Sequence, residues 1–281
     1  MREYKIEYQT TNHYEDGVSD AIFEILVHPC NDNTQVVTSS RHNSSLNADF
    51  FGYKNFFGFS VQRLRTTRDF KTFKFNMTCK VQKIPQSVYK VDVSVNDQLA
   101  VLDSTDFYVD NHFFMEQTGF TKPGKKLEKK MLAYDRKKPV SDFLEEMLHH
   151  VHRIIRYKKE TTDVSTTAED AVRLGMGVCQ DFSHIFIAMA RASRIPARYV
   201  SGYLFQDDEG ILGADMMHAW AEAFIPFMGW VGYDPANNCM VNEKYIKVAH
   251  GMDYADCSPL KGVIRTNGKN TTAYSVKVQA Q

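Results

Sequence analysis

The sequence predicts an α+β protein: a β-rich N-terminal domain followed by a region of helices and strands. Three observations predict it. Alternating, β-rich segments crowd the first 110 or so residues. An amphipathic helical pattern opens at Ser141. A second helix, apolar throughout, starts at Cys179 and is followed by strand patterns with one tight reversal.

EYKIEYQT, AIFEILVHP, TFKFNMTCKVQKI and SVYKVDVSV read as strands, separated by polar stretches such as NDNTQ and SSRHNSSLNAD. Strands of this kind pair into a sandwich. This places a β-rich domain over 1–110 and a connecting segment over 111–140. A third division, 141–281, is the helix-and-strand domain with a C-terminal strand extension. TKPGKKLEKK in the connecting segment reads as a solvated loop or helix end.

From Ser141, the residues Phe143, Leu144, Met147, Leu148, Val151, Ile154 and Ile155 form one apolar stripe. His149, His150 and His152 on that helix occupy different angular positions, so they read as polar or core-edge residues and not as metal ligands. Thr166 and Glu169 fit a capping box for a short helix, AEDAVRL, that stops near Gly175. Gly175 and Gly177 bracket a sharp turn, and FSHIFIAMARAS is the apolar helix that follows. Then come three strands, ARYVSGYLF, MHAWAEAFIP and WVGYDP, the last two joined at FMG. TAYSVKVQA is a final strand.

Composition narrows the function. Lys plus Arg and Asp plus Glu are both 34, so no net charge points to nucleic acid or an anionic membrane. The first residues lack the apolar core of a signal peptide, and no apolar run has transmembrane length. The expectation is therefore a cytoplasmic location with no membrane insertion. The cysteines Cys30, Cys79, Cys179, Cys239 and Cys257 are odd in number, scattered, and without a C-x-x-C pair. This argues against a disulfide framework and a thiolate-rich zinc site. No cofactor or metal is expected.

Cys179 is the residue with chemistry to offer. A helix start presents unpaired N–H groups and a positive dipole end, and both favour an anionic sulfur. The Cys179 N–H is also a plausible oxyanion donor. In MHAWAEAF, alternation puts His218, Trp220, Glu222 and Phe224 on one face and three alanines on the other. A hairpin centred at Pro226 sets His218 opposite Asp234, where a carboxylate can hold the far imidazole nitrogen. A one-residue shift of the centre leaves that pairing possible; a change of parity destroys it. Each residue alone has a plainer reading: a structural thiol, a satisfied strand histidine, a turn aspartate. Helix start, strand and paired strand together point to a Cys179–His218–Asp234 triad.

GVCQDFSHIFIAMARASRIPARYVSGYL and MHAWAEAFIPFMGWVGYDPANN resemble the core of the transglutaminase-like superfamily. The start of the chain resembles the β-rich N-terminal domain of many bacterial members, and GMDYADCSPLKG resembles the segment after the core. The resemblance implies a papain-like arrangement, with the nucleophile helix packed on an antiparallel sheet. It assigns Cys179 as nucleophile, His218 as base and Asp234 as acid. It also implies a cysteine peptidase or amidase working through a thioester on a peptide or protein substrate. Acyl transfer to an amine, as in a transglutaminase, is one alternative, and a noncatalytic binding module is another.

Secondary positions stay open. Tyr157 is a second oxyanion donor or a core residue. Gln180 adjoins the nucleophile but points around the helix. Trp220 shields the pair, lines the cleft or packs on the sheet. Asp181 caps the nucleophile helix or meets a positive substrate group. Arg198, Tyr203 and Asp253 are candidates for the cleft rim, and Asp256 and Cys257 for anchors of the closing segment.

Overall fold

The computed structural model describes residues 2–85, 93–206, 212 and 216–281. Strand β1 (Glu3–Val18) follows its sequence alternation, burying Tyr4, Ile6, Tyr8, Thr10, Asn12 and Tyr14. Next come β2 (Asp20–Ile25), β3 (Gln35–Ser44), β4 (Phe50–Lys54), β5 (Ser60–Thr66) and β6 (Phe70–Lys83). β6 pairs antiparallel with both β1 and β3, while β5 pairs antiparallel with β2 and β4. Phe23 of β2 stacks on Phe73 of β6, with centroids 4.2 Å apart and planes within 5°. The two sheets therefore share one aromatic core, as in a sandwich.

The strand expected over 87–95 needs correction at its end; residues 86–92 lie outside the described residues. Val95 opens a helix, α1 (Val95–Asp103), because the Ser94 hydroxyl accepts the Asp97 N–H at 3.2 Å. α2 (Thr105–Asn111) follows, capped by Ser104. The β-rich character therefore ends before residue 110. A short α3 (Lys125–Glu128) leads to α4 (Val140–Ile154), which starts at Val140 behind Pro139 and not, as expected, after Ser141. It buries Phe143, Leu144, Met147, Leu148 and Val151 of the predicted stripe, while Ile154 is partly buried and Ile155 stands at the cap past the helix end.

After β7 (Arg156–Tyr157) comes α5 (Ala168–Leu174). Its cap is Thr167, which accepts from the Asp170 N–H, and not Thr166 with Glu169. The reason is tertiary: the Glu169 carboxylate accepts the N–H groups of Gly124, Lys126 and Leu127, and so caps α3 instead. Gly175 ends α5 at φ 69°, the left-handed conformation that glycine adopts without strain. β8 (Met176–Gly177) pairs in parallel with β7 and leads into α6 (Cys179–Ala192).

Five strands then form one antiparallel sheet. They are β9 (Ala197–Leu204), β10 (His218–Ile225), β11 (Gly229–Asp234), β12 (Cys239–Met240) and β13 (Tyr245–Gly251). Their order is β12-β11-β10-β9-β13. α6 packs on the face carrying Ala219, Ala221 and Ala223, where small side chains let the helix approach. Phe186 of α6 stacks on Tyr233 at 5.1 Å. On the other face Val200, Leu204, Trp220 and Tyr245 form a separate cluster.

The chain then returns to its beginning. After α7 (Tyr254–Cys257), β14 (Leu260–Arg265) pairs with β2 and β15 (Asn270–Ala280) pairs with β1. Both ends of the chain thus build the sandwich. Among the described residues, no helix is long and apolar enough to cross a membrane.

Gly202 of β9 tests how tightly the second face is packed. A Cβ there would come 2.2 Å from the Ile246 carbonyl oxygen and 2.6 Å from the Trp220 ring. Backbone cannot yield cheaply, so Gly202→Ala is expected to destabilise the protein by about 1–3 kcal/mol. A thermal melt checks this; an unchanged midpoint would mean that β13 moves aside without cost.

Candidate active site

Cys179 stands where β8 gives way to α6. β8 and the Gly175 turn deliver the chain to the start of α6, and Cys179 is its first residue, half-buried and unbonded to other cysteines. Val178, the residue before it, has no side chain that can cap. Asp181 supplies half of a capping box, accepting the Val178 N–H at 2.7 Å. A Cβ at position 177 would lie 2.6 Å from that carboxylate, so glycine makes room for the cap. Asp181 also accepts from the Thr162 hydroxyl at 2.7 Å. Burial pushes its pKa up to about 6, against the pull of these hydrogen bonds. Its role is thus local capping, the simpler of the two expectations.

His218 is the first residue of β10 and is only 1% exposed. Its Nε2 lies 2.6 Å from Asp234 Oδ2. Its Nδ1 is buried and makes no hydrogen bond of ordinary geometry among the described residues. Cys179 nevertheless interacts with the ring strongly enough to raise its pKa. A thiol–imidazole contact that is looser than a formed bond is common before substrate arrives. Burial pulls the His218 pKa down, but the Asp234 carboxylate and then Cys179 outweigh it, and the imidazole is held well above its usual value.

The hairpin differs from expectation by one residue. Ala221 pairs with Tyr233 and Glu222 with Gly232, so the centre lies at Phe227 and not Pro226. His218 and Asp234 are therefore not directly opposite. Parity is kept, so both side chains still lie on one face as diagonal neighbours. Phe227 takes φ 67°, the turn residue that the shift requires.

Asp234 is fully buried and accepts from five donors. Oδ2 takes His218 Nε2, Asn237 Nδ2 at 2.7 Å and the Tyr245 hydroxyl at 2.8 Å. Oδ1 takes the Ala236 and Asn237 N–H groups, both at 3.1 Å. Burial raises its pKa, but His218, Asn237 and Tyr245 outweigh burial and hold the carboxyl below its ordinary range. The turn that follows is braced from α4: His149 Nδ1 lies 2.7 Å from Asn238 Oδ1, and His152 Nδ1 lies 3.0 Å from the Pro235 carbonyl. His150 instead meets the Lys130 carbonyl at 2.7 Å.

The secondary candidates separate. Gln180 donates to the Val164 carbonyl at 3.2 Å, so it ties the 158–167 segment to the helix start. Tyr157 pairs with Gly177 through its backbone, with its ring 6.4 Å from that of Phe182. Trp220 is buried between His218 and Tyr245, centroids 6.4 and 5.4 Å away. At 1% exposure it packs within the sheet face, in a cluster with Val200, Leu204 and Tyr245.

The three expected rim residues lie in other networks. Arg198 pairs with Glu222 at 2.6 Å and lies 4.0 Å over the Trp230 ring. Tyr203 is fully buried and donates to the Val27 carbonyl at 2.6 Å. Asp253 caps α7 through the Ala255 N–H. Asp256 does anchor its segment, accepting the Met252 N–H at 2.8 Å, and Cys257 is buried beside it. Asn237 and Tyr245 were not singled out in the sequence. Asn237 carries a local signal, three residues after an aspartate in a turn; Tyr245 carries none.

A helix that starts at a thiol, packed on an antiparallel sheet that carries an imidazole bonded to a buried carboxylate, is a papain-like arrangement of elements. Comparison with known proteins identifies the class more closely. Residues 129–235 match the transglutaminase-like superfamily, and residues 4–82 match the bacterial transglutaminase-like N-terminal region. The chain belongs to the transglutaminase-like superfamily, with a bacterial-type N-terminal domain. An uncharacterized protein of Mycobacterium bovis is 37% identical over 143 residues, which are 48% of this chain and 46% of that protein. One of Mycobacterium leprae is 40% identical over 126 residues, 44% of each. The chain thus spans about half the length of the curated relatives it matches. A solved structure, described as that of a candidate cysteine protease from Cytophaga hutchinsonii, superposes with a TM-score of 0.79. It covers 99% of this chain and 90% of its own at 22% identity, which speaks for a shared fold.

Proposed function

We propose that the protein is a cysteine-dependent amide hydrolase, a peptidase or amidase that works through a thioester. The observation that carries this is the His218 ring, bonded through Nε2 to a fully buried carboxylate, with Cys179 near enough to help raise the imidazole pKa. In the first step the Cys179 thiolate attacks the amide carbonyl and an S–C bond forms. The Cys179 N–H at the helix start faces the developing oxyanion. The C–N bond breaks as protonated His218 gives its proton to the leaving amine. Water then attacks the thioester, His218 takes a proton from it, and the thiolate leaves a carboxylate product. An amine in place of water would give the transglutaminase outcome, and the superfamily match keeps that second reading in view.

Peptide amides are offered with and without a labelled primary amine, and release of acid and incorporation of amine are measured together. The native protein is expected to release acid, with Cys179→Ala and His218→Ala each lower by about 10³-fold or more. Amine incorporation exceeding hydrolysis would select the acyl-transfer reading. Site-resolved alkylation of Cys179 addresses the pair without any substrate. His218→Ala is expected to slow it at least about tenfold at neutral pH, since the thiolate is the reacting form. A Cys179 that labels equally with and without His218, in folded protein, would remove the enzymatic reading and favour a binding module.

A further inference from the structure

The N-terminal sandwich braces β13, the strand that carries Tyr245. β13 lies at the edge of the five-stranded sheet, so its outer N–H and C=O groups need partners. The ladder to β9 shifts register between Lys247 and Ala249. At that irregularity the sandwich supplies the bonds. Gln35, which opens β3 and is fully buried, accepts the Lys247 N–H at 2.9 Å and donates to the Lys247 carbonyl at 2.7 Å. One side-chain amide thus imitates a neighbouring strand. The Cys30 N–H adds a third bond, to the same carbonyl, at 3.0 Å.

Two residues earlier, Lys83 takes over. It closes β6, pairs in register with Gln35, and is 7% exposed. Its ammonium donates to the Tyr245 carbonyl at 2.8 Å, to Gln35 Oε1 at 3.3 Å and to Thr34 Oγ1 at 3.5 Å. Burying an amine is expensive unless it is hydrogen-bonded, and here it is bonded to the residue of β13 that matters most. Tyr245 is gripped at its backbone by Lys83 and at its ring by Trp220, while its hydroxyl donates to Asp234 Oδ2. Cys239 Sγ lies 3.3 Å from that hydroxyl. Because the tyrosine proton goes to the carboxylate, the thiol is the donor in this second contact.

We propose that the N-terminal sandwich is a working part of the active site: Lys83 and Gln35 seat β13 so that the Tyr245 hydroxyl holds the Asp234 carboxylate towards His218. The inference rests on the triad reading above and gives the N-terminal domain a role in it. Tyr245, Lys83 and Gln35 are positioning residues. Their role in the reaction is indirect; they act through Asp234.

The test is a double-mutant cycle on the full chain, read by the alkylation rate of Cys179 with iodoacetamide at neutral pH. Tyr245→Phe keeps the ring against Trp220 and deletes only the hydroxyl. It is expected to slow alkylation about tenfold, the worth of one hydrogen bond to a charged group. Lys83→Met keeps the stem and deletes the ammonium, and should slow it about threefold. If Lys83 acts through the hydroxyl, Lys83→Met has no further effect in the Tyr245→Phe background. A merely structural lysine would slow both backgrounds equally, and that additivity would overturn the proposal. So would a folded Tyr245→Phe protein that alkylates within twofold of native. Should Lys83→Met not fold, Gln35→Met replaces it in the same cycle. The two readings fail differently. A native Cys179 indifferent to His218→Ala removes the triad itself; intact His218 dependence with an unaffected Tyr245→Phe removes only the role of the sandwich.

Discussion

Asp234→Asn is expected to lower amide turnover by about 10³–10⁴-fold, the scale seen when a triad carboxylate becomes an amide. The Asp234 carboxylate accepts five hydrogen bonds and donates none. An asparagine brings one oxygen and one NH₂. If the NH₂ takes the Oδ1 position it faces two backbone N–H groups that cannot accept. If it takes the Oδ2 position it faces His218, Asn237 and Tyr245. The imidazole can then accept only by moving its proton to Nδ1, the nitrogen that serves Cys179 in the proposed mechanism. A base that already carries its proton towards the nucleophile cannot remove another. Steady-state turnover, corrected for folded protein, measures the loss. A change under tenfold would mean that Asp234 does not fix the tautomer.

The same substitution changes the pH dependence of stability. The His218 pKa is raised on folding, so its contribution is complete below about pH 6.5, the unfolded value, and is lost as pH climbs through the folded value. The Asp234 pKa is depressed, so its contribution is present above about pH 3.9 and is lost as pH falls through the folded value. The native protein is therefore expected to lose stability on the alkaline side as His218 deprotonates. Asp234→Asn should flatten that limb, because an amide holds no imidazolium. Urea midpoints from neutral to alkaline pH would register it.

Why these three residues were legible and their supports were not has a physical reason. Helix periodicity placed Cys179 at a helix start, and strand parity placed His218 and Asp234 on one face. Both are local patterns, and parity survived an error of one residue in the turn. Tyr245, Gln35 and Lys83 meet the site across the sheet edge, where sequence spacing says nothing. Arg198 and Tyr203 were placed on the right strand, but a strand pattern does not say which neighbours lie over it. Trp230, Glu222 and the Val27 carbonyl claim them. At α1, a β-rich pattern was overruled by the Ser94 cap. At α5, the stronger-looking cap was taken by a different helix. In each case a tertiary partner competed with a local signal and won.

Substitution of Arg191 is expected to give the largest loss of stability. It lies near the C-terminal end of α6, where a cation suits the dipole, and is 4% exposed. Its guanidinium donates to the carbonyls of Phe114 at 3.2 Å, Glu116 at 2.9 Å, Ala197 at 2.9 Å and Met252 at 2.7 Å. It thus fastens the 114–121 segment, the start of β9 and the approach to α7 to one end of the nucleophile helix. Burial pulls its pKa down to about 10, with Asp253, Asp256 and Glu116 offsetting part of that cost. Arg191→Met removes every donor and leaves four carbonyls to find others, for a loss of about 3–5 kcal/mol. At roughly 2–4 °C per kcal/mol, the melting midpoint should fall by about 10 °C. Arg191→Lys should recover little, because one ammonium cannot reach in four planar directions. Cys179 lies at the other end of the helix, roughly 18 Å away along its axis. Well below the melt, its His218-dependent alkylation should therefore stay within about threefold of native. A midpoint within 2 °C or so of native would mean that the four carbonyls find water, and that the helix is held by its apolar face alone.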